Sequence, residues 1–190
     1  MSKYVRVMYD LKSDASGYEF KLNEINEANN WYKEDGMPNP IGGFYFSTEE
    51  GIVRWLLRGN IIYDVEIPKD AIVVEEKGSN IVFRSNKIII KNPRKITDKY
   101  AIELYKKSKL PETIYYRIIG ILAMCGYEKA SLEVIKDKVN SNNLDEVIKS
   151  VISTDIYLNE KRDKECYNRI LAKLESFKSK IWITKSQWFE

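Results

Sequence analysis

The residues Ile41 to Pro68, IGGFYFSTEEGIVRWLLRGNIIYDVEIP, constrain the fold of this chain more than any other stretch. The aromatic run Phe44 to Phe46 reads as a buried strand, and Ile61 to Ile67, closed by Pro68, as a second one. Between them, Ser47-Thr48-Glu49-Glu50 has the form of a capping box, with Ser47 accepting from the third helical N–H and Glu50 reaching back to the cap. Ile52, Val53, Leu56 and Leu57 follow at helical spacing and give that helix one buried face. Gly42-Gly43 ahead of Phe44 allows backbone conformations or close approaches that a Cβ forbids. The stretch therefore predicts a strand–helix–strand scaffold.

The absence of histidine restricts the chemistry most. It removes Ser-His-Asp and Cys-His catalysis, histidine-ligated zinc and the usual near-neutral general base, leaving carboxylates, Lys, Tyr, Ser and backbone groups. No metal site is expected. Charge is balanced: residues 1–96 carry 14 basic and 14 acidic side chains and residues 97–190 carry 17 and 14, so neither half is a polycation that binds phosphates non-specifically. The local run Lys91-Asn92-Pro93-Arg94-Lys95 is a solvated turn or, less in keeping with the charge balance, a direct RNA or DNA contact. No apolar run approaches the roughly 20 residues of a membrane span. The opening MSKYVRVMYD has no secretory pattern, and Cys125 and Cys166 are the only cysteines. The expectation is a reducing, cytoplasmic setting with neither disulfide nor membrane.

Tyr4 to Tyr9 alternates as a strand, with Tyr4, Arg6 and Met8 on one face. Tyr18 to Phe20 is predicted as a short strand, Asn23 to Tyr32 as a short helix, and Glu34 to Pro40 as a loop. Ala71 to Val74, Ile81 to Phe83 and Lys87 to Ile90 complete a strand-dominated α+β domain over residues 1–96. The character changes at Pro93. Residues 97–190 carry helical periodicity in segments joined by short turns, which predicts a small bundle or helical hairpins, either separate from the first domain or packed with it as one unit. Cys125 sits on an apolar helical face, whereas Cys166 lies among charges and is expected to be more exposed.

Gly42-Gly43-Phe44-Tyr45-Phe46-Ser47, a helix, Val65-Glu66-Ile67-Pro68-Lys69-Asp70-Ala71 and Arg84-Ser85-Asn86-Lys87-Ile88-Ile89-Ile90 occur in that order. In this order of motifs, residues 17–95 resemble an uncharacterised N-terminal domain of giant-virus ankyrin-repeat proteins. That resemblance implies a viral association and no established activity. The pattern is also similar to the ADP-ribosyltransferase fold, which implies a mixed sheet. Its arginine-serine-glutamate class implies three roles. Arg6 on the first strand corresponds to the arginine that holds the NAD phosphates. Ser47 in Tyr45-Phe46-Ser47-Thr48 corresponds to the serine that orders the nicotinamide ribose, with Gly43 beside it. The carboxylate position aligns with Lys87, a cation that would repel the positive charge developing at the anomeric carbon. Glu75 and Glu76 are carboxylates close enough to substitute in another register, and at most one can serve because neighbours on a strand face opposite ways.

Tyr115, Tyr116, Trp182, Trp188 and Phe189 are partner-binding candidates, since Trp and Tyr concentrate at interfaces, although core packing is the commoner fate of such side chains. Two function classes follow. The first is a viral or phage accessory protein that binds and modulates a host protein or defence complex, as an inhibitor, without catalysis and without a cofactor. The alternative is an NAD-dependent ADP-ribosyltransferase that uses Arg6, Ser47 and a glutamate.

Overall fold

The computed structural model describes residues 4–13, 16–31, 42–76 and 81–186, with side chains through residue 178. The chain divides into two compact units, Met1–Ile96 with Lys107–Lys109, and Thr97–Lys106 with Leu110–Glu190.

The first unit contains seven strands: β1 (Tyr4–Met8), β2 (Ile25–Glu27), β3 (Phe44–Thr48), β4 (Ile61–Glu66), β5 (Val73–Glu75), β6 (Val82–Ser85) and β7 (Lys87–Lys95). They form one sheet in the order β2-β7-β4-β1-β3-β6-β5. Every pairing between these strands is antiparallel, which corrects the expected mixed sheet. The reason lies in the crossover. The strand–helix–strand unit does run β3 and β4 in the same direction, but β1 lies between them and pairs antiparallel with both.

The strand order also dictates curvature. β6 and β7 stand four positions apart in the order, about 19 Å across a flat sheet at about 4.8 Å per strand. Yet only Asn86 separates them in the chain, and Ser85 and Lys87 can be at most about 7 Å apart. The sheet must therefore curl until β7, β4, β1, β3 and β6 close a ring through Asn86. The interior of the ring holds Met8, Phe20, Phe44, Phe46, Tyr63, Val65, Ile88 and Ile90. Tyr18, Phe20 and Phe44 pack with centroids 4.8–5.0 Å apart, and Phe46 stacks on Phe83 at 5.8 Å.

Three local expectations are corrected. Asn23 to Tyr32 contains a strand, β2, rather than a helix: Asn26 is buried, its amide serving Lys21 and Glu24, and the segment pairs with β7. Pro93 lies within β7 instead of ending the sheet. Ser47 is a β3 residue and caps nothing; a 3-10 helix spans Ile52–Arg58 with Gly51 ahead of it and no side-chain cap. That helix still buries Ile52, Val53, Leu56 and Leu57, as their spacing predicts. It closes down at Gly59, where a Cβ would sit 2.0 Å from the Met8 carbonyl carbon.

The second unit contains α1 (Asp98–Lys107), α2 (Glu112–Met124), α3 (Glu128–Lys138), α4 (Leu144–Ile152), a 3-10 turn Asp155–Tyr157, and α5 (Lys164–Ser186). Helix α2 is apolar all round and buried from Ile118 to Met124, the pattern of a core helix, with α3, α4 and α5 packed around it. Gly120 lets α2 approach the start of that 3-10 turn: a Cβ there would lie 2.5 Å from the Thr154 hydroxyl. The stripe Cys166, Tyr167, Ile170 and Leu174 of α5 is buried, so Cys166 is 1% exposed rather than facing solvent. No helix among the described residues is long and apolar enough to cross a membrane.

Candidate functional site

Strand alternation separates the two strongest sequence candidates. Tyr4 packs edge-on against Phe46 and pairs with Thr48, so Arg6 belongs to the interior face of the ring, with its guanidinium 5.1 Å from the Phe20 ring centroid. Ser47 points to the other face, 1% exposed, and its hydroxyl donates to the Ile81 carbonyl at 2.5 Å. Arg6 and Ser47 therefore lie on opposite sides of the sheet, although their strands are neighbours.

The Arg6 guanidinium does local work. The β1–β3 ladder runs only through Tyr4↔Thr48 and Val5↔Ser47. Beyond Val5 the strands part, and Arg6 donates Nη1 to the Tyr45 carbonyl and Nη2 to Ser13 Oγ at 3.2 Å. Its Nε is buried without a hydrogen-bond partner among the described residues. Burial, with Arg58 nearby, brings this guanidinium down to about 10.

The carboxylates also divide. Glu76 is ion-paired with the fully buried Arg84, Nε to Oε1 at 3.0 Å, and Arg84 in turn stacks 4.9 Å from the Trp31 ring centroid. Glu75 is exposed on β5. Glu75 shares the sheet face of Arg6 through the registers Glu75↔Phe83, Phe46↔Phe83 and Tyr4↔Thr48, but it stands three strands away in the order, about 14 Å at about 4.8 Å per strand, and Glu76 belongs to the opposite face. Gly43 has a packing role. Its φ is +82°, and a Cβ would sit 2.6 Å from the Trp31 ring and 3.0 Å from the Ser85 carbonyl oxygen. Lys87 bridges Asp70 at 2.8 Å and Glu27 at 3.5 Å, and the Asp70 carboxyl is held below its usual range by that bond.

The basic run is likewise paired with acids. Lys91 meets Glu66 and Arg94 meets Asp64, both at 2.7 Å, while Lys95 is exposed. Among the described residues no cluster of three Cys, Asp or Glu side chains could hold a metal.

The aromatic partner candidates are corrected in part. Tyr115 and Tyr116 are each 6% exposed and belong to the core of the helical unit. The Tyr115 hydroxyl accepts from Leu110 N at 3.1 Å, its ring meets Tyr105 edge-on, and the Tyr116 hydroxyl accepts from Asn143 Nδ2 at 3.2 Å. The Trp182 side chain and residues Trp188 and Phe189 lie outside what the structure describes.

An exposed surface stands elsewhere in the same unit. Ile152 at the end of α4 and Ile156 and Tyr157 in the 3-10 turn are 43%, 78% and 40% exposed. Tyr157 is oriented by Arg117, whose Nη2 donates to its hydroxyl at 3.4 Å. Sequence reading missed this apolar tip because Ile152 and Ile156, four apart, have the spacing of a buried stripe. The helix ends at Ile152 and Thr154 carries the chain into a different turn. No protein-family model, curated protein or solved structure matches the chain.

Proposed function

We propose that this chain is a non-catalytic accessory protein of viral or phage origin that binds and modulates a host protein or defence complex inside the host cell. The observation that carries the reading is the apolar tip Ile152, Ile156 and Tyr157, with Ile156 78% exposed. Three large apolar side chains exposed within six residues of one another, one of them a tyrosine, favour a contact surface. Two further facts favour binding over catalysis: Arg6 and Ser47 occupy opposite faces of the sheet, and Glu76 is committed to a buried arginine. The viral setting rests on the motif order in residues 17–95.

A second reading, an NAD-dependent ADP-ribosyltransferase on an ADP-ribosyltransferase-like sheet, has one supporting observation: β1 with Arg6 and β3 with Ser47 are adjacent strands that part beyond Val5. It requires Ser47 to turn to the interior face and a glutamate to reach the same ribose.

The test combines an NAD titration by calorimetry with affinity capture from host lysate, using the wild-type chain and an Ile152→Ser, Ile156→Asp, Tyr157→Ser variant. The expected result is one host complex held by the wild type and lost by the variant, with no heat at millimolar NAD. Equal capture by both proteins removes the apolar tip as the contact. Saturable NAD binding with ADP-ribose mass shifts replaces the first reading by the second.

A further inference from the structure

Strand β5 ends the sheet order, so one of its sides has no strand beside it among the described residues. Which of its backbone groups face that side can be read from the ladder. Ile72 and Glu76 turn inward to the β6 side: Asn86 N donates to Ile72 O at 3.4 Å, Ile72 N donates to Asn86 Oδ1 at 2.7 Å, and Glu76 N donates to Val82 O at 2.9 Å. Antiparallel pairing alternates these groups every second residue, so Val74 also faces β6 while Val73 and Glu75 present N–H and C=O outward. Among the described residues, that leaves two donors and two acceptors at the repeat another strand needs. β2, the other end of the order, does not cover them, because it pairs along β7 at Ile25↔Ile89 to Glu27↔Lys87, past the Asn86 corner.

The side chains are those of a docking edge as well. Ile72 and Val73 are each 39% exposed, and the strand carries no proline, lysine or bulge to block pairing. Glu75 has no cation beside it among the described residues, unlike Asp70 and Glu76 on either side. Val73 and Glu75 share a face, two residues apart.

We propose that β5 is a strand-addition site that takes an extended segment of another protein, antiparallel to Val73–Glu75, with a basic residue opposite Glu75 and an apolar residue opposite Val73. In the partner's own direction this reads basic, any residue, apolar. Four outward backbone groups make a short ladder, so the main chain supplies the attraction and the side chains opposite Val73 and Glu75 supply the selectivity. The unpaired Glu75 selects the basic residue and disfavours a second copy of this strand, which would bring Glu75 and its counterpart together.

The test uses the full chain and a fluorescein-labelled hexapeptide, Thr-Lys-Val-Val-Ile-Thr, read by anisotropy. Saturable binding is expected, weakened tenfold or more by Val73→Pro, which removes an outward donor without touching the bonds to β6. Glu75→Gln should weaken it and abolish its salt dependence, and Glu75→Lys should weaken it further and make added salt favourable. A peptide N-methylated on the residues that face β5 should not bind at all, which isolates the ladder even if a protein variant fails to fold. No saturation up to millimolar peptide, or equal binding of the N-methylated peptide, overturns the proposal. A self-associating chain whose dimer is lost in Val73→Pro also overturns it, in favour of β5–β5 pairing. None of these outcomes bears on the apolar tip of the helical unit, which the capture experiment tests separately.

Discussion

Arg6 donates to the carbonyl of Tyr45 at the place where the β1–β3 ladder stops, so one side chain bridges a gap that two backbones leave open. The same guanidinium reaches Ser13 at 3.2 Å and covers Phe20, which ties the loop after β1 to the interior of the ring. Arg6→Met keeps most of the apolar stem and loses both bonds. The expected cost is about 2–3 kcal/mol, the scale of charged hydrogen bonds lost from a part-buried site. Urea unfolding measures it; an unchanged midpoint would mean the bridge contributes nothing.

Gly43 and Trp31 occupy the same space as soon as a methyl group is added. Gly43→Ala faces both a positive φ and an indole at 2.6 Å, so it should cost about 2–4 kcal/mol. Trp31→Ala removes the clash while leaving the φ strain. In a double-mutant cycle the pair should therefore be non-additive by more than about 1 kcal/mol. Additive behaviour would place the cost in φ alone.

Asp98, the first residue of α1, caps a different helix. Its two carboxylate oxygens accept from Lys129 N at 2.9 Å and Ala130 N at 2.7 Å, two amides in the first turn of α3. Asp98→Ala should cost about 1–2 kcal/mol and Asp98→Asn less, because the amide oxygen can still accept one bond. Hydrogen exchange at Lys129 and Ala130 gives the local readout: protection should fall in the alanine variant before it falls elsewhere.

The two thiols predict an alkaline weakness. Burial pushes the Cys125 thiol up to about 12 and the Cys166 thiol up to about 11, from an ordinary value of 9. Between pH 9 and those values the folded chain keeps protons that the unfolded chain releases, so stability present below pH 9 is lost as pH rises. At pH 10 the loss from Cys125 is about 1 kcal/mol. Urea midpoints at pH 8 and pH 10 should therefore diverge more for the wild type than for a Cys125→Ser, Cys166→Ala protein. Labelling of Cys166, 1% exposed, in the folded chain at pH 8 should be slow against the unfolded one.

Local chemistry made part of this fold legible. Ile52, Val53, Leu56 and Leu57 announce a buried helical face, and that face exists even though the helix is 3-10 and starts late. The capping signature at Ser47 misled because a hydroxyl has several ways to be satisfied: β3 extends through Thr48, and the Ile81 carbonyl takes the proton that a cap would not use. Asn23 to Tyr32 misled for the converse reason. Its apolar spacing fits a helix, but three residues of it gain more from the unfilled side of β7, and Asn26 secures the turn. Of the candidate site, the residue types were legible and their convergence was not. Whether Arg6 and Ser47 share a face depends on one residue of strand alternation, and whether Glu76 is available depends on Arg84, eight residues away in sequence and paired with it at 3.0 Å.

By itself the sequence determined the class of this protein: a strand-rich first part, a helical second part, no histidine chemistry and balanced charge. Those properties are sums over neighbours or over composition, and periodicity reports them directly. Only the tertiary structure decided that the sheet closes into a ring through Asn86, that Arg6 bridges β1 and β3, that Tyr115 and Tyr116 are core, and that Val73 and Ile156 stand in water. Each of these depends on pairing between segments far apart in the chain, such as Val5 with Asp64 and Phe44 with Ser85. Register of that kind is set by the combined burial of a whole core, and no local pattern encodes it.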